Sequence, residues 1–160
     1  MDIDVVYIYA CTPAHLHHVL TDRAHIEAKM GVDAGRAEVI EATPRRVETT
    51  RTVKTSLPGI AAKILGETQT VRQVEEWADP ATTAPAVTGT FSGTAPGTPV
   101  DVSGTLRIDP DGDGCRLRIH GRVAVKVPII GGKIASIVHD EVVKNLERED
   151  AFTKTWLAEH

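Results

Sequence analysis

Residues 115–146, CRLRIHGRVAVKVPIIGGKIASIVHDEVVKNL, join two patterns that together decide the fold of this chain. In residues 115–127, apolar and charged side chains alternate, which predicts a strand with one buried face and one exposed face. After Pro128, apolar residues recur at helical spacing and predict a long helix. An alternating strand that runs directly into a long helix indicates an antiparallel sheet covered on one face by that helix.

The pair Gly131 and Gly132, followed by Lys133, invites comparison with a loop that binds phosphate. It lacks the GxxxxGK[ST] spacing of a P-loop, and it follows a strand that we expect to be antiparallel. We therefore interpret the two glycines as the place where the backbone turns, after Pro128 ends the strand, so that the helix lies back over the sheet. A hinge that gates a cavity is a second interpretation of the same pair.

The rest of the chain predicts the other elements of the fold. Residues 2–9, DIDVVYIY, alternate like a strand, and Thr12 with Pro13, and then Asp22, mark the starts of two short helices. Segments rich in Val and Thr, separated by Gly and Pro turns, predict about six strands after these helices, of which residues 115–127 are the last. We predict an α+β fold with a curved antiparallel sheet of about seven strands around a C-terminal helix of about 27 residues. Residues 1–160 then form a single domain.

Composition and charge exclude several classes of function. With 160 residues, 41% of them hydrophobic and 25% charged, the chain is long enough for one core and short for two. A formal net charge of −4 argues against a nucleic-acid binder, which needs a basic surface. We find no signal peptide and no run near the ~20 apolar residues of a membrane helix. We expect a cytoplasmic protein without stable membrane insertion, as a monomer or a homodimer.

A resemblance to a known family rests on four segments of the chain: SLPGIAAKILGET, VRQVEEW, VKVPIIGGKI and DAFTKTWL. With the order of elements, they make the chain similar to the START-like, or SRPBCC, superfamily, and more narrowly to an actinobacterial family of unknown function within it. The resemblance implies a helix-grip fold in which a seven-stranded sheet and a long C-terminal helix enclose a hydrophobic cavity. Lipid-transfer proteins, plant hormone receptors and polyketide cyclases share this fold, so the fold alone does not select an activity.

The predicted long helix carries polar residues on its apolar stripe, and this is the main pointer to a functional site. The residues that we place on or beside the stripe are Val138, Glu141, Asn145, Glu149 and Phe152. A buried carboxylate is costly without a cation, so Glu149 needs either a partner or a wet cavity. We predict Arg51 as the partner, because it shares a strand face with apolar residues. A bend that carries Glu149 into solvent is the alternative.

Other charged residues are predicted to lie on solvated faces. On the long helix these include Asp150 and Lys154. On the last strand, a basic row consists of Arg116, Arg118, Arg122 and Lys126. We interpret the basic row as the convex face of the sheet, and a docking surface for an acidic partner is the alternative.

We predict no metal site, no cofactor and no nucleophilic cysteine. Residues 109–120 begin like a calcium loop, but the twelfth is His120 where the loop needs Glu, so we predict a hairpin turn. The histidines between positions 15 and 25 have no carboxylate at a spacing typical of metal sites. Cys11 and Cys115 fit neither a disulfide framework nor a zinc pattern, and no neighbour that would lower a thiol pKa is evident.

The sequence as a whole favours a binding protein over an enzyme. We expect a small hydrophobic or amphipathic ligand, such as a lipid or a polyketide-like molecule, to lie between the sheet and the long helix. The ligand-binding residues that we predict are Tyr7, Arg51, Val138, Glu141, Asn145, Glu149 and Phe152. Two alternatives stay open. One is a cyclase or hydratase with Glu149 as general acid or base, and the other is a protein-interaction module that uses the basic row.

Overall fold

The structure, a computed structural model, describes residues 1–31, 37–54, 59–66 and 68–160. Its elements, in chain order, are β1 (Asp2–Tyr9), α1 (Pro13–Thr21), α2 (Arg23–Met30), β2 (Ala37–Ala42), β3 (Arg46–Lys54), α3 (Ile60–Leu65), β4 (Thr68–Trp77), α4 (Pro80–Thr83), β5 (Val87–Thr94), β6 (Val100–Asp111), β7 (Gly114–Val125) and α5 (Gly131–Glu159). The family-like segment SLPGIAAKILGET lies partly outside the described residues, because positions 56–58 and 67 are not among them.

The strands form one seven-stranded sheet in the order β1-β7-β6-β5-β4-β3-β2, and neighbouring strands are antiparallel. The first and second strands of the chain are therefore the two edges, and the two short helices α1 and α2 connect them. The 29-residue helix α5 lies on the concave face. This arrangement confirms the predicted α+β helix-grip fold.

Strand β7 has the two faces that its alternation predicts. Cys115, Leu117, Ile119 and Val123 are buried, whereas the arginines between them are exposed. In the register of the sheet, Ile119 lies beside Val5 of β1 and Leu106 of β6, so apolar side chains of three strands meet on the concave face. Burial of this apolar face supplies the main stabilisation of the fold.

Glycines on the concave face let the sheet curve around aromatic rings. A Cβ on Gly121 would lie 2.8 Å from Cζ of Phe91, and a Cβ on Gly89 would lie 2.9 Å from Cε3 of Trp77. Both distances are too short for carbon atoms in contact, so a larger residue would displace the ring. A side chain at either position would also meet a backbone oxygen of the neighbouring strand, that of Ser103 at Gly121 and that of Glu76 at Gly89, so both positions need glycine.

The turn between β7 and α5 differs from the prediction in which residues make it. β7 ends at Val125, before Pro128, and the residue with a positive φ, 69°, is Ile129. Gly131 is needed for a different reason, since its Cβ would lie 2.9 Å from the carbonyl oxygen of Val125. A Cβ on Gly132 would meet nothing within 4 Å. The interpretation of both glycines as the turn is therefore wrong: one permits close packing of α5 on β7, and the other is not required.

Helix α5 packs chiefly on one half of the sheet. Its main contacts are with β7, β1 and α2, and Ala135 near its start belongs to a core cluster with Ile3 and Val123. The α2 contact includes a 3.1 Å hydrogen bond between Nε2 of His25 and Oγ1 of Thr153. Because the helix leans toward β1 and β7, space remains between it and the concave face of β3 to β6.

Strands β6 and β7 are joined by a tight hairpin, in which Asp111 pairs with Gly114 and Gly112 has a φ of 57°. The predicted hairpin turn in the segment that resembles a calcium loop is thus confirmed. No group of three or more potential metal ligands occurs in the described part of the chain. Among the helices that the structure describes, none has the length and apolar character needed to cross a membrane.

Candidate functional site

A cavity of about 630 Å³ lies between α5 and the concave face of the sheet. Its apolar wall includes Phe91, Val102, Leu106, Ile119, Val142 and Leu146. At its margin, Glu141 and Arg148 of α5 also line the cavity and are exposed, so this side meets solvent. The volume falls within the range of roughly 300–1,000 Å³ that is typical of small-molecule sites.

Polar side chains from three parts of the chain line the same cavity. Strands β3 and β4 supply Arg51, Gln73 and Glu75, α2 supplies Lys29, and α5 supplies Asn145 and Glu149. We call these six residues the polar cluster. The same cluster, apart from Asn145, lines a second and much smaller pocket of about 20 Å³ toward α2. The polar cluster therefore belongs to both the main cavity and the small pocket, beneath α2 and α5.

Glu149 faces inward and has a cationic partner, which is Lys29. Nζ of Lys29 lies 3.9 Å from Oε2 of Glu149, and Asn145 Nδ2 donates a 3.1 Å hydrogen bond to Oε1. The side chains of Lys29 and Glu149 are 14% and 23% exposed. The predicted pairing of Glu149 with Arg51 is therefore wrong. The cation comes from α2, which packs against α5. The alternating pattern of β3 gives no information about the packing of these two helices.

Glu75 is a cavity residue that the sequence analysis missed. It is half-buried on β4, where it lines the cavity, and Nε1 of Trp77 donates a 3.3 Å hydrogen bond to its Oε2. Burial is the main cause that raises the pKa of the Glu75 carboxyl; Lys29 opposes this effect, and the charge of Glu149 adds to it. A signal was available, because Glu75 alternates with Trp77 and so shares its strand face.

A second polar group in the cavity consists of Tyr7, Tyr9 and Asp150. The Asp150 side chain is only 13% exposed, and its Oδ2 accepts a 2.9 Å hydrogen bond from Nζ of Lys154. The prediction that Asp150 faces away from the sheet is therefore wrong. Among the described residues, Oδ1 of Asp150 and Oη of Tyr7 are buried without a hydrogen-bond partner. Burial, and then the charge of Asp150, raises the pKa of Tyr7 to about 12.

The cavity brings together most of the residues that the sequence analysis proposed as a site. Those that line it are Tyr7, Arg51, Val138, Glu141, Asn145 and Glu149. Phe152 is not in the lining, because its ring packs between α2 and α5. Its ring centroid lies 5.7 Å from that of His25 and 6.2 Å from that of Trp156. The roles of the lining residues in ligand binding stay predictions.

The buried histidines and the cysteines have local structural roles. Nε2 of His17 donates a 2.8 Å hydrogen bond to the carbonyl oxygen of Pro44, and His25 is fully buried. Cys115 is buried at the start of β7, and burial raises its thiol pKa to about 12. Burial also raises the thiol pKa of Cys11. Because the thiolate is the reactive form, both thiols are poor nucleophiles.

The basic row on the convex face is partly neutralised. Arg118 forms two hydrogen bonds of 3.0 Å with the carboxylate of Asp4 on the neighbouring strand. Arg116 and Arg122 are exposed on the same face. The row is therefore less positive than its sequence suggests, although it stays accessible to a partner.

Comparison with known protein families and curated sequences links the chain to proteins without an assigned activity. A family model described as "Protein of unknown function (DUF2505)" matches residues 4–157. The uncharacterized protein Rv0481c of Mycobacterium tuberculosis is 27% identical over 148 residues, which covers 90% of this chain and 81% of the relative. The uncharacterized protein Mb0491c of Mycobacterium bovis matches with the same identity and coverage.

Comparison with solved structures finds helix-grip proteins. TTHA0849 from Thermus thermophilus matches over 100% of both chains, with a TM-score of 0.67 and 16% identity. The Zhui aromatase/cyclase from Streptomyces sp. R1128 covers 97% of this chain and 92% of its own, with a TM-score of 0.64 and 14% identity. A STAR-related lipid transfer protein from Xanthomonas axonopodis covers 94% and 84%, with a TM-score of 0.60 and 12% identity. At these identities the comparisons show the fold alone, and it is the helix-grip fold that the START-like resemblance implies.

Proposed function

This chain belongs to the DUF2505 family, and we propose that it binds a small hydrophobic or amphipathic ligand between the sheet and α5. The observation that carries the proposal is the cavity of about 630 Å³, with an apolar wall and a polar cluster on one side. Protein interiors are normally close-packed, so a space of this size between a helix and the sheet it covers is unusual. A space of this size in a chain of 160 residues is best explained by a ligand that fills it.

The wall of the cavity supplies the affinity in this proposal, and the polar cluster supplies the orientation. A ligand that buries about 300 Å² of apolar surface gains roughly 7 kcal/mol before the cost of association. Glu149, Asn145 and Arg51 are the residues that we propose to orient its polar end. The fold supports this class of ligand, since the similar structures include a lipid transfer protein and an aromatase/cyclase by name.

A cavity-filling substitution tests the proposal. Val142 lines the cavity from α5, whereas Ala151 is exposed on the same helix. We expect 1-anilinonaphthalene-8-sulfonate to bind the native protein saturably with one dye per chain, and Val142→Trp to weaken that binding at least tenfold. Ala151→Trp, which adds the same ring on the outside, is expected to leave it within twofold. Equal dye binding by the native protein and folded Val142→Trp would contradict a ligand site in the cavity.

An enzyme of cyclase or hydratase type is a second candidate, and the position of Glu75 favours it. A half-buried carboxyl with a raised pKa that lines an open cavity is suited to the role of general acid. This shifts the candidate from Glu149, which pairs with Lys29, to Glu75. The substrate to test is a ligand that is extracted from the protein after purification from its natural host. If the native protein converts this ligand, and Glu75→Gln binds it but does not convert it, the protein is an enzyme in which Glu75 takes part in the reaction.

A further inference from the structure

Arg51 is a cation in the cavity that has no carboxylate partner among the described residues. It lines both the main cavity and the small pocket beside it. The ion pairs within the ranges that the structure describes do not include Arg51. Of the two other cationic groups of the lining, Lys29 pairs with Glu149, and Arg148 is exposed and donates a 2.6 Å hydrogen bond to Oδ1 of Asn145.

The sheet register places Arg51 on the concave side of β3. It lies opposite Val71 of β4, and alternate residues of the same strand, Val47 and Thr49, are buried on this face. Val53 and Val71, its neighbours on the face, also line the cavity. The guanidinium therefore lies where apolar wall meets the polar cluster. Arg51 is half-buried, so its guanidinium is partly shielded from water beside apolar surface, and an anionic group that pairs with it offsets this cost.

We propose that the cavity accepts an amphipathic monocarboxylic acid, whose carboxylate pairs with Arg51 and whose apolar body lies along the wall of β4 to β7. This inference rests on the proposed function and specifies the class of its ligand. The planar fork of a guanidinium matches a carboxylate with two parallel hydrogen bonds. A phosphate monoester offers similar oxygens, but its second negative charge would meet Glu149, which lines the small pocket together with Arg51. We therefore commit to the carboxylate.

The experiment compares ligands that differ in the head group alone. Decanoate, 1-decanol and decyl phosphate are titrated into the full-length protein at pH 8 by isothermal calorimetry. We expect decanoate to bind at least tenfold more tightly than 1-decanol and more tightly than decyl phosphate. With Arg51→Met, the affinity for decanoate is expected to fall at least tenfold and that for 1-decanol to change less than threefold. Arg116→Met, on the convex face, removes an exposed arginine as the matched control and is expected to leave both affinities within twofold.

Each outcome separates this inference from the proposed function. Equal affinity for decanoate and 1-decanol, or an unchanged preference in Arg51→Met, overturns the carboxylate and leaves the cavity site standing. Tighter binding of decyl phosphate overturns the carboxylate in favour of a phosphate head group. Failure of all three ligands to bind overturns the proposed function and this inference with it. If Arg51→Met does not fold, Arg51→Lys replaces it. The lysine ammonium still attracts the carboxylate of decanoate but cannot form the two parallel hydrogen bonds of a guanidinium. The affinity for decanoate is therefore expected to fall at least threefold, and that for 1-decanol is expected not to fall.

Discussion

His25 is the residue whose burial has the clearest consequence for stability. It is 0% exposed between α2 and α5, and its Nε2 is hydrogen-bonded to Thr153. Burial, with a smaller effect of the Lys29 charge, lowers the pKa of His25 from 6.5 to about 3. Between these values the unfolded chain binds a proton that the folded protein does not. Stability is therefore lost as pH falls below 6.5, and the loss is complete near pH 3.

The pH dependence of unfolding by urea tests this role of His25. At pH 5, the unfavourable protonation is expected to remove about 2 kcal/mol of the free energy of unfolding relative to pH 7. His25→Gln is expected to lower stability at pH 7 and to abolish this part of the pH dependence. His15→Gln, which removes an exposed histidine of α1, is the control and is expected to keep it. The same pH dependence in His25→Gln and in the native protein would show that His25 does not cause it.

At the residue scale, the sequence predicts which positions face the cavity better than it predicts their partners. The i, i+4 spacing of Asn145 and Glu149 on the apolar stripe is enough to place both inside. The cation for Glu149 depends on how α2 packs against α5, and local periodicity contains no information about that contact. The predictions for Asp150 and Phe152 fail because α5 faces two neighbours, the sheet and α2, and a single stripe does not separate them.

At the scale of elements, the start of α5 determines where the helix lies over the sheet. Gly131 allows the first turn of α5 to approach Val125, because a Cβ at this position would lie only 2.9 Å from the Val125 carbonyl oxygen. Gly131→Ala is therefore expected to lower the free energy of unfolding by about 1–3 kcal/mol. Gly132→Ala is the matched control, because the space around it is open and alanine favours the helix by up to about 1 kcal/mol.

Thermal and urea unfolding of the two variants measure this difference. A loss of stability in Gly131→Ala with no loss in Gly132→Ala supports close packing of α5 on β7 as the reason for the first glycine. If both alanines lower stability alike, the interpretation of the pair as a flexible turn is favoured instead.

Elements with a strong period were predictable, and the junction between them was not. Alternation in β7 predicts its buried and exposed faces, and the Asp and Gly residues after β6 predict the hairpin. The prediction for the junction fails because Ile129 has a positive φ, a backbone conformation that β-branched residues rarely adopt. Glycine is the residue that favours this conformation, so the sequence pattern points to the neighbouring glycines as the turn.

At the scale of the whole molecule, the cavity follows from the position of α5 on the sheet. The helix packs on β1 and β7, and Gly121 of β7 and Gly89 of β5 leave room for the rings of Phe91 and Trp77 beside the sheet. The order of elements and the family resemblance were sufficient to predict the helix-grip fold. The volume of the cavity and the presence of Glu75 within it depend on packing distances of a few ångströms, which the sequence pattern does not specify.

Methyl NMR during a titration with decanoate shows whether a ligand binds between α5 and the concave face. We expect saturable shifts at methyl groups that line the cavity, such as those of Val102, Leu106 and Leu146, with little change at Val6 and Ile8, which are exposed on the outer face. Saturable shifts on the outer face with unchanged cavity methyls would contradict binding in the cavity. They would favour the convex surface as the functional face.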